Sequence, residues 1–137
     1  MDDIFEKIIA REIPASIIYE DDDVISFLDI KPVNKGHALI VPKKKFRNLL
    51  DADPVSLQKM VAVAHKVAIA LQKAVGADGI NLTMNNERAG GQDVFHAHMH
   101  VIPRFLGDEA FKHAKHTTYE EGEMAEIATT IKKVLGE

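Results

Sequence analysis

The chain has 137 residues, no cysteine, 46% hydrophobic residues and a formal net charge of −4. That length makes one domain with a genuine core; the missing cysteine excludes disulfides and thiolate metal sites, and the acidic balance argues against general nucleic-acid binding, which needs a basic surface. No apolar run reaches the length of a membrane span, and the acidic start Met1-Asp2-Asp3 lacks the basic and apolar regions of a signal peptide, so no membrane partner is expected and the chain reads as cytoplasmic.

In chain order, residues 2–11 place Ile4, Phe5, Ile8 and Ile9 on one side of a predicted short helix, ended before Pro14. Residues 16–19 and 24–28 are β-rich runs separated by Glu20-Asp21-Asp22-Asp23 and predict a hairpin. Residues 37–41 predict a third strand, closed by Pro42. Asp53 and Pro54 read as the N-cap and first position of a long helix, because Leu57, Met60, Val61, Ala64, Val67, Ala68, Leu71 and Val75 then recur at helical spacing up to Gly76. Residues 79–84 and 97–102 predict the last two strands. Thr118 and Glu121 predict a capping box for a closing helix carrying Met124, Ile127, Ala128, Ile131 and Leu135. The expected class is α+β, an antiparallel sheet with one long helix inserted, without internal repeats or linkers.

Chemistry concentrates in Phe95-His96-Ala97-His98-Met99-His100-Val101-Ile102-Pro103. In an extended strand alternate side chains share a face, so His96, His98 and His100 are expected on one face and Ala97, Met99 and Val101 on the other. Such a row suits a metal held by neutral imidazoles or a phosphoryl site with a nucleophilic imidazole. The preceding Asn85-Asn86-Glu87-Arg88-Ala89-Gly90-Gly91-Gln92-Asp93-Val94 favours phosphate, since glycines let consecutive backbone N–H groups form an anion-binding concavity. A zinc site would need carboxylate or thiolate ligands, or a fourth histidine. His65, His113 and His116 stand apart and read as structural. Lys43-Lys44-Lys45-Phe46-Arg47 reads as a solvated approach to the long helix.

At these residues the chain resembles the histidine triad superfamily of nucleotide-binding proteins, whose signature is His-x-His-x-His followed by two apolar residues. The resemblance runs through His96-Ala97-His98-Met99-His100-Val101-Ile102, Ala89-Gly90-Gly91-Gln92, Gly36-His37-Ala38-Leu39-Ile40-Val41-Pro42-Lys43, Phe27-Leu28-Asp29-Ile30 and the opening from Ile4 to Ala15. It covers residues 4–112 as a histidine triad domain and leaves 113–137 as a C-terminal extension with a helix. It implies the family fold: a five-stranded antiparallel sheet, one long helix, a short N-terminal helix and a C-terminal helix.

The resemblance also implies roles. His98 becomes the nucleophile that forms a nucleotidyl adduct, His100 the donor to phosphate or leaving group, and His96 and His37 the supporting histidines. Asn85, Gly91, Gln92 and Asp93 would surround the phosphate together with His98 and His100. Asp29 would bind ribose, with Ile30 and Phe27 beside a purine base. The implied activity is hydrolysis or transfer of a purine nucleoside monophosphate from a leaving group; phosphoramidates, aminoacyl-adenylates and dinucleoside polyphosphates are all candidates. The implied assembly is a homodimer through the long helix and an edge strand. No cofactor is expected. A nucleotide-binding regulatory module with incidental hydrolysis, or a metal-binding protein, are the other readings.

Two departures from the family pattern stand out. Some bacterial relatives carry a zinc site made by a Cys-x-x-Cys in the opening segment and a histidine after the Pro-Lys; those positions here hold Asp3, Glu6 and Lys45, so no metal is expected. Asp93 stands where better-known members have Ser or Thr near the scissile bond, and a carboxylate there repels phosphate unless it meets a cationic leaving group.

Overall fold

The computed structural model describes residues 2–111 and 114–137. The expected domain boundary at 112–113, and His113 with it, lie outside the described residues. The chain forms α1 (Ile4–Ile9), β1 (Ile17–Glu20), β2 (Val24–Leu28), β3 (Ala38–Pro42), α2 (Pro54–Val75), β4 (Gly79–Met84), β5 (Met99–Arg104) and α3 (Glu123–Leu135), with a short 3-10 turn at Arg88–Gly90. The strands make one antiparallel sheet in the order β1-β2-β3-β5-β4.

Helix ends follow local chemistry. The Asp3 side chain caps α1 by accepting the Glu6 N–H at 2.8 Å, and Glu6 returns the bond to the Asp3 N–H at 3.1 Å. The helix is shorter than the expected 2–11, because Ala10 caps it and Arg11 turns to a φ of 62°. α2 begins and ends where the sequence predicts: Asp53 accepts the Ser56 N–H at 2.9 Å, Pro54 fills the first turn and Gly76 leaves at a φ of 68°. The expected Thr118–Glu121 box does not form. Gly122 turns left-handed at a φ of 79° ahead of α3, and the Glu123 carboxylate accepts the Glu120 N–H instead.

Both faces of the sheet are covered. Val24, Ala38, Ile40, Met99 and Val101 pack under Met60, Val63, Ala64, Val67 and Leu71 of α2, while Ile25, Phe27, Leu39 and Val41 pack under Phe5 and Ile8 of α1. β2 and β3 are therefore buried on both faces and read as apolar runs broken by Ser26 in β2. Gly36 lets the β2–β3 connection pass close to α2: its φ is 102°, and a Cβ there would lie 3.1 Å from Leu71 Cδ2. His37 is delivered to the α1 side of the sheet by that turn.

The triad strand starts later than expected. Ala97 donates its N–H to the Phe46 carbonyl at 2.9 Å, not to a neighbouring strand, so His96 and His98 lie on the approach to β5 and His100 lies within it, paired with Leu39.

Candidate functional site

A cavity of about 490 Å³ opens on the α1 side of the sheet, walled by Phe5 and Ile8 of α1, Phe27 of β2, Asp29 and Ile30 beyond it, and Asp93, His98 and His100. Apolar walls with few polar groups at one end suit a flat base attached to a polar tail. Ile30 is 87% exposed at the rim. Asp29 is held by its own turn: its Oδ1 accepts the Lys31 N–H at 2.9 Å, and its N–H donates to the His37 carbonyl at 2.9 Å.

The histidine tautomers can be assigned by following protons. The Val33 N–H donates to His37 Nδ1 at 3.0 Å, so the His37 proton is on Nε2. That nitrogen lies 2.9 Å from His100 Nδ1, which must accept, and the remaining His100 proton is therefore on Nε2. The loop presenting Val33 is pinned to the end of β5, since Asn34 Nδ2 donates to the Pro103 carbonyl and to Asp108, each at 2.9 Å. His98 Nδ1 lies 2.8 Å from the His96 carbonyl and donates to it, which leaves Nε2 with a free lone pair.

Electrostatics keep both rings neutral. Burial pushes His100 down to about 4, helped by neighbouring His98 and His37 and opposed by Asp29 and Asp93. Burial likewise holds His98 below the ordinary histidine value, against the His96 carbonyl and Asp93. The two ring centroids are 5.1 Å apart. The site thus places an unprotonated imidazole nitrogen beside an imidazole that carries a proton to give.

The glycine loop is tied together by its own hydrogen bonds. Gln92 is buried: its Oε1 accepts from Asn48 Nδ2 at 3.0 Å and from the Glu87 N–H at 2.9 Å, and its Nε2 donates to the Arg47 and Val94 carbonyls at 2.7 and 3.0 Å. Its N–H, and those of Gly90 and Gly91, also close bonds within the loop. Gln92 is therefore a brace whose side-chain bonding capacity is taken within the protein. Gly91 and Asn85 do not line the cavity, and Asn85 Nδ2 leans on the Gly91 carbonyl at 3.4 Å. Asp93 and Val94 are the loop residues on the cavity wall.

Asn48 and Glu87 escaped the sequence reading. Glu87 holds a φ of 66°, rare for a side-chain-bearing residue, fixed by a bidentate pair with Arg47 at 2.6 and 2.9 Å and by Asn48. The available signal was an asparagine inside the run Phe46-Arg47-Asn48-Leu49, which is fully buried here.

His96, also fully buried, stands behind the cavity wall with its Nδ1 3.0 Å from Asp3 Oδ2 and its Nε2 2.8 Å from the Pro42 carbonyl. The Lys45 ammonium bridges Asp3 and Glu6 at 3.1 and 2.9 Å. Asp3, Glu6 and His96 could hold a cation between them, and so could Asp29, His37 and His100. In the first group the lysine already supplies positive charge; in the second the ring nitrogens are joined by a hydrogen bond.

The HIT domain model matches residues 10–107. Over 102 residues the chain is 44% identical to a purine nucleoside phosphoramidase of Escherichia coli, covering 72% of this chain and 84% of that one. It is 41% identical over 103 residues to an adenylylsulfatase of Arabidopsis thaliana, covering 75% of this chain and 52% of that protein. A crystal structure from Streptococcus mutans UA159 superimposes with a TM-score of 0.91 at 43% identity, covering 98% of this chain and 85% of that one.

Proposed function

This chain belongs to the HIT domain family, and from that premise we propose that it hydrolyses purine nucleoside monophosphate derivatives through a covalent His98 adduct. The observation that carries the reading is the pair of fixed tautomers: a lone pair on His98 Nε2 and a proton on His100 Nε2, both at the polar end of the cavity. In the first step His98 Nε2 bonds to the α-phosphorus, the bond to the leaving group breaks, and His100 gives that group its proton. In the second, water gives a proton to His100 while its oxygen displaces His98, releasing the nucleoside monophosphate. Asp29 is proposed to receive the ribose hydroxyls, with Phe27 and Ile30 against the base. Acid quenching during turnover of an α-³²P-labelled adenosine phosphoramidate tests the reading. Transient label on the protein supports it, whereas turnover without any protein-bound label would count against it.

Asp93 is proposed to set the leaving-group preference. A carboxylate beside the scissile bond disfavours a second phosphate and tolerates an amine, which can be protonated and paired with it. Asp93→Ser is expected to narrow the preference for phosphoramidate over dinucleoside polyphosphate by about tenfold, mainly through kcat/KM for the polyphosphate. Both substrates on both variants at one pH and ionic strength give the answer; an unchanged ratio would mean that the side chain does not act on the leaving group.

A homodimer is proposed on surfaces the single chain leaves open. β4 is an edge strand with Leu82 exposed, Val61 and Ile69 of α2 face solvent, and α3 buries none of its Met124, Ile127, Ile131 and Leu135. A 13-residue helix without packing is marginal in water, so a second copy is expected to cover it. Light scattering at micromolar concentration should give twice the 15.2 kDa chain mass; a monomer would refute the pairing.

A further inference from the structure

Strand pairing does not place the whole of the reacting wall. The ladder between β3 and β5 takes hold at Met99 and sets His100 opposite Leu39, whereas Asp93 and His98, both on the cavity wall, come before it. A second segment holds that stretch: Phe46-Arg47-Asn48-Leu49, which follows the lysines after β3. Phe46 is anchored in the core under α2, and its carbonyl accepts the Ala97 N–H at 2.9 Å, between His96 and His98. The Arg47 carbonyl accepts from Gln92 Nε2 at 2.7 Å, directly before Asp93. The Leu49 N–H donates to Asn86 Oδ1 at 2.7 Å. Consecutive residues of one short segment thus meet the other at points spread from 86 to 97.

Asn48 is buried, stands outside the cavity lining, and divides its amide between two tasks. Oδ1 stays local and accepts the Leu50 N–H at 2.9 Å. Nδ2 works at long range, with one N–H for Gln92 Oε1 at 3.0 Å and one for the Glu87 carboxylate. Gln92 passes the constraint on, because its Nε2 also donates to the Val94 carbonyl at 3.0 Å. The residues on both sides of Asp93 therefore hang on one buried side chain. We propose that Asn48 is a positioning residue for Asp93 and His98, acting through Gln92. The proposal rests on the reading of His98 as nucleophile: in-line attack leaves Nε2 little latitude, and a displacement of about 1 Å costs on the order of a hundredfold in rate. Without the Asn48 amide, Gln92 Oε1 keeps only the Glu87 N–H at 2.9 Å, and the Glu87 carboxylate keeps only Arg47. The cost falls on kcat and not on KM. The walls proposed for base and ribose, Phe27, Asp29 and Ile30, belong to β2 and the turn after it.

Asn48→Ser and Asn48→Ala separate the two tasks. Serine can still accept the Leu50 N–H, as it does in turns, but is too short to reach Gln92; alanine does neither. The variants are compared in single turnover of an α-³²P-labelled adenosine phosphoramidate, at a temperature where melting curves show each chain folded. Both are expected to form labelled protein about ten- to a hundredfold more slowly than wild type, with AMP affinity within about twofold. A role in folding alone would lower the melting temperature and leave the rate per folded chain unchanged, which overturns the proposal. So does a serine variant with the wild-type rate, since the turn would then be all that matters. Backbone ¹⁵N relaxation of the substrate-free chain reads the placement separately. In wild type the amides of residues 93–98 are expected to be as ordered as those of β5, and in both variants less so; a mobile wild-type segment overturns the proposal even if neither variant folds. A wild-type chain that forms no labelled protein counts against the proposed reaction, and the relaxation data then decide whether Asn48 holds the segment.

Discussion

His98→Ala should lower kcat for an adenosine phosphoramidate by at least about a thousandfold while nucleoside monophosphate affinity stays within about tenfold of wild type. The two effects separate because the groups are different. Removing the imidazole removes the atom proposed to bond to phosphorus, and among the described residues no other unprotonated ring nitrogen faces the cavity: the remaining His100 nitrogen there carries a proton, and its Nδ1 accepts from His37. The walls proposed to hold base and ribose, Phe27, Asp29 and Ile30, belong to β2 and the turn after it and do not depend on the His98 ring. The orphaned His96 carbonyl costs about 1–3 kcal/mol of stability and the cavity left by the buried ring adds to it, so a melting curve accompanies both measurements. Single-turnover kinetics and calorimetric titration with AMP read the two arms. A variant that keeps most of its kcat with an unchanged pH profile would remove His98 from the chemistry.

His37→Leu should cost about a hundredfold in kcat although His37 does not line the cavity. Its Nε2 proton is what makes His100 Nδ1 an acceptor. Without it the His100 proton is free to settle on Nδ1, and the nitrogen facing the leaving group then has nothing to donate. Leucine fills the space but leaves the Val33 N–H without its acceptor, a further cost of about 1–3 kcal/mol in stability. His37→Gln carries an N–H₂ group of similar reach and should recover part of the rate, which separates proton placement from packing. Rates for wild type, H37L and H37Q, set beside their melting temperatures, decide it; two variants with equal rates would mean that the relay does not matter.

The sequence was most legible where structure is made by near neighbours. Asp53, Pro54 and Gly76 bound α2 because capping is a matter of three or four residues, and a five-stranded antiparallel sheet follows from short apolar runs between turn residues. Legibility failed where a distant partner takes over a local group. Phe46, far off in sequence, takes the Ala97 N–H and delays the start of β5, although the expected alternation of faces holds along the whole triad, with Ala97, Met99 and Val101 toward α2 and the histidines toward α1. The bonds that Asn48 and the Arg47 carbonyl make to the Gln92 side chain were likewise out of reach of a local reading. Asp3 looked like the remnant of a missing metal site, and its contact with His96 spans almost the length of the domain. Gly122, which moved the start of α3, was a local signal open to reading and outweighed by the Thr118–Glu121 pattern.

The brace formed by Gln92, Asn48, Glu87 and Arg47 bears on how a nucleotide would arrive. Every donor and acceptor of the Gln92 amide is satisfied before any ligand enters. The loop beside the histidines therefore loses little chain entropy on binding. Association is then governed by encounter and not by folding of the loop. The same stiffness withholds tolerance: a substrate whose phosphate falls out of line with His98 would meet a loop already tied down, so alignment would add to the leaving-group preference proposed for Asp93.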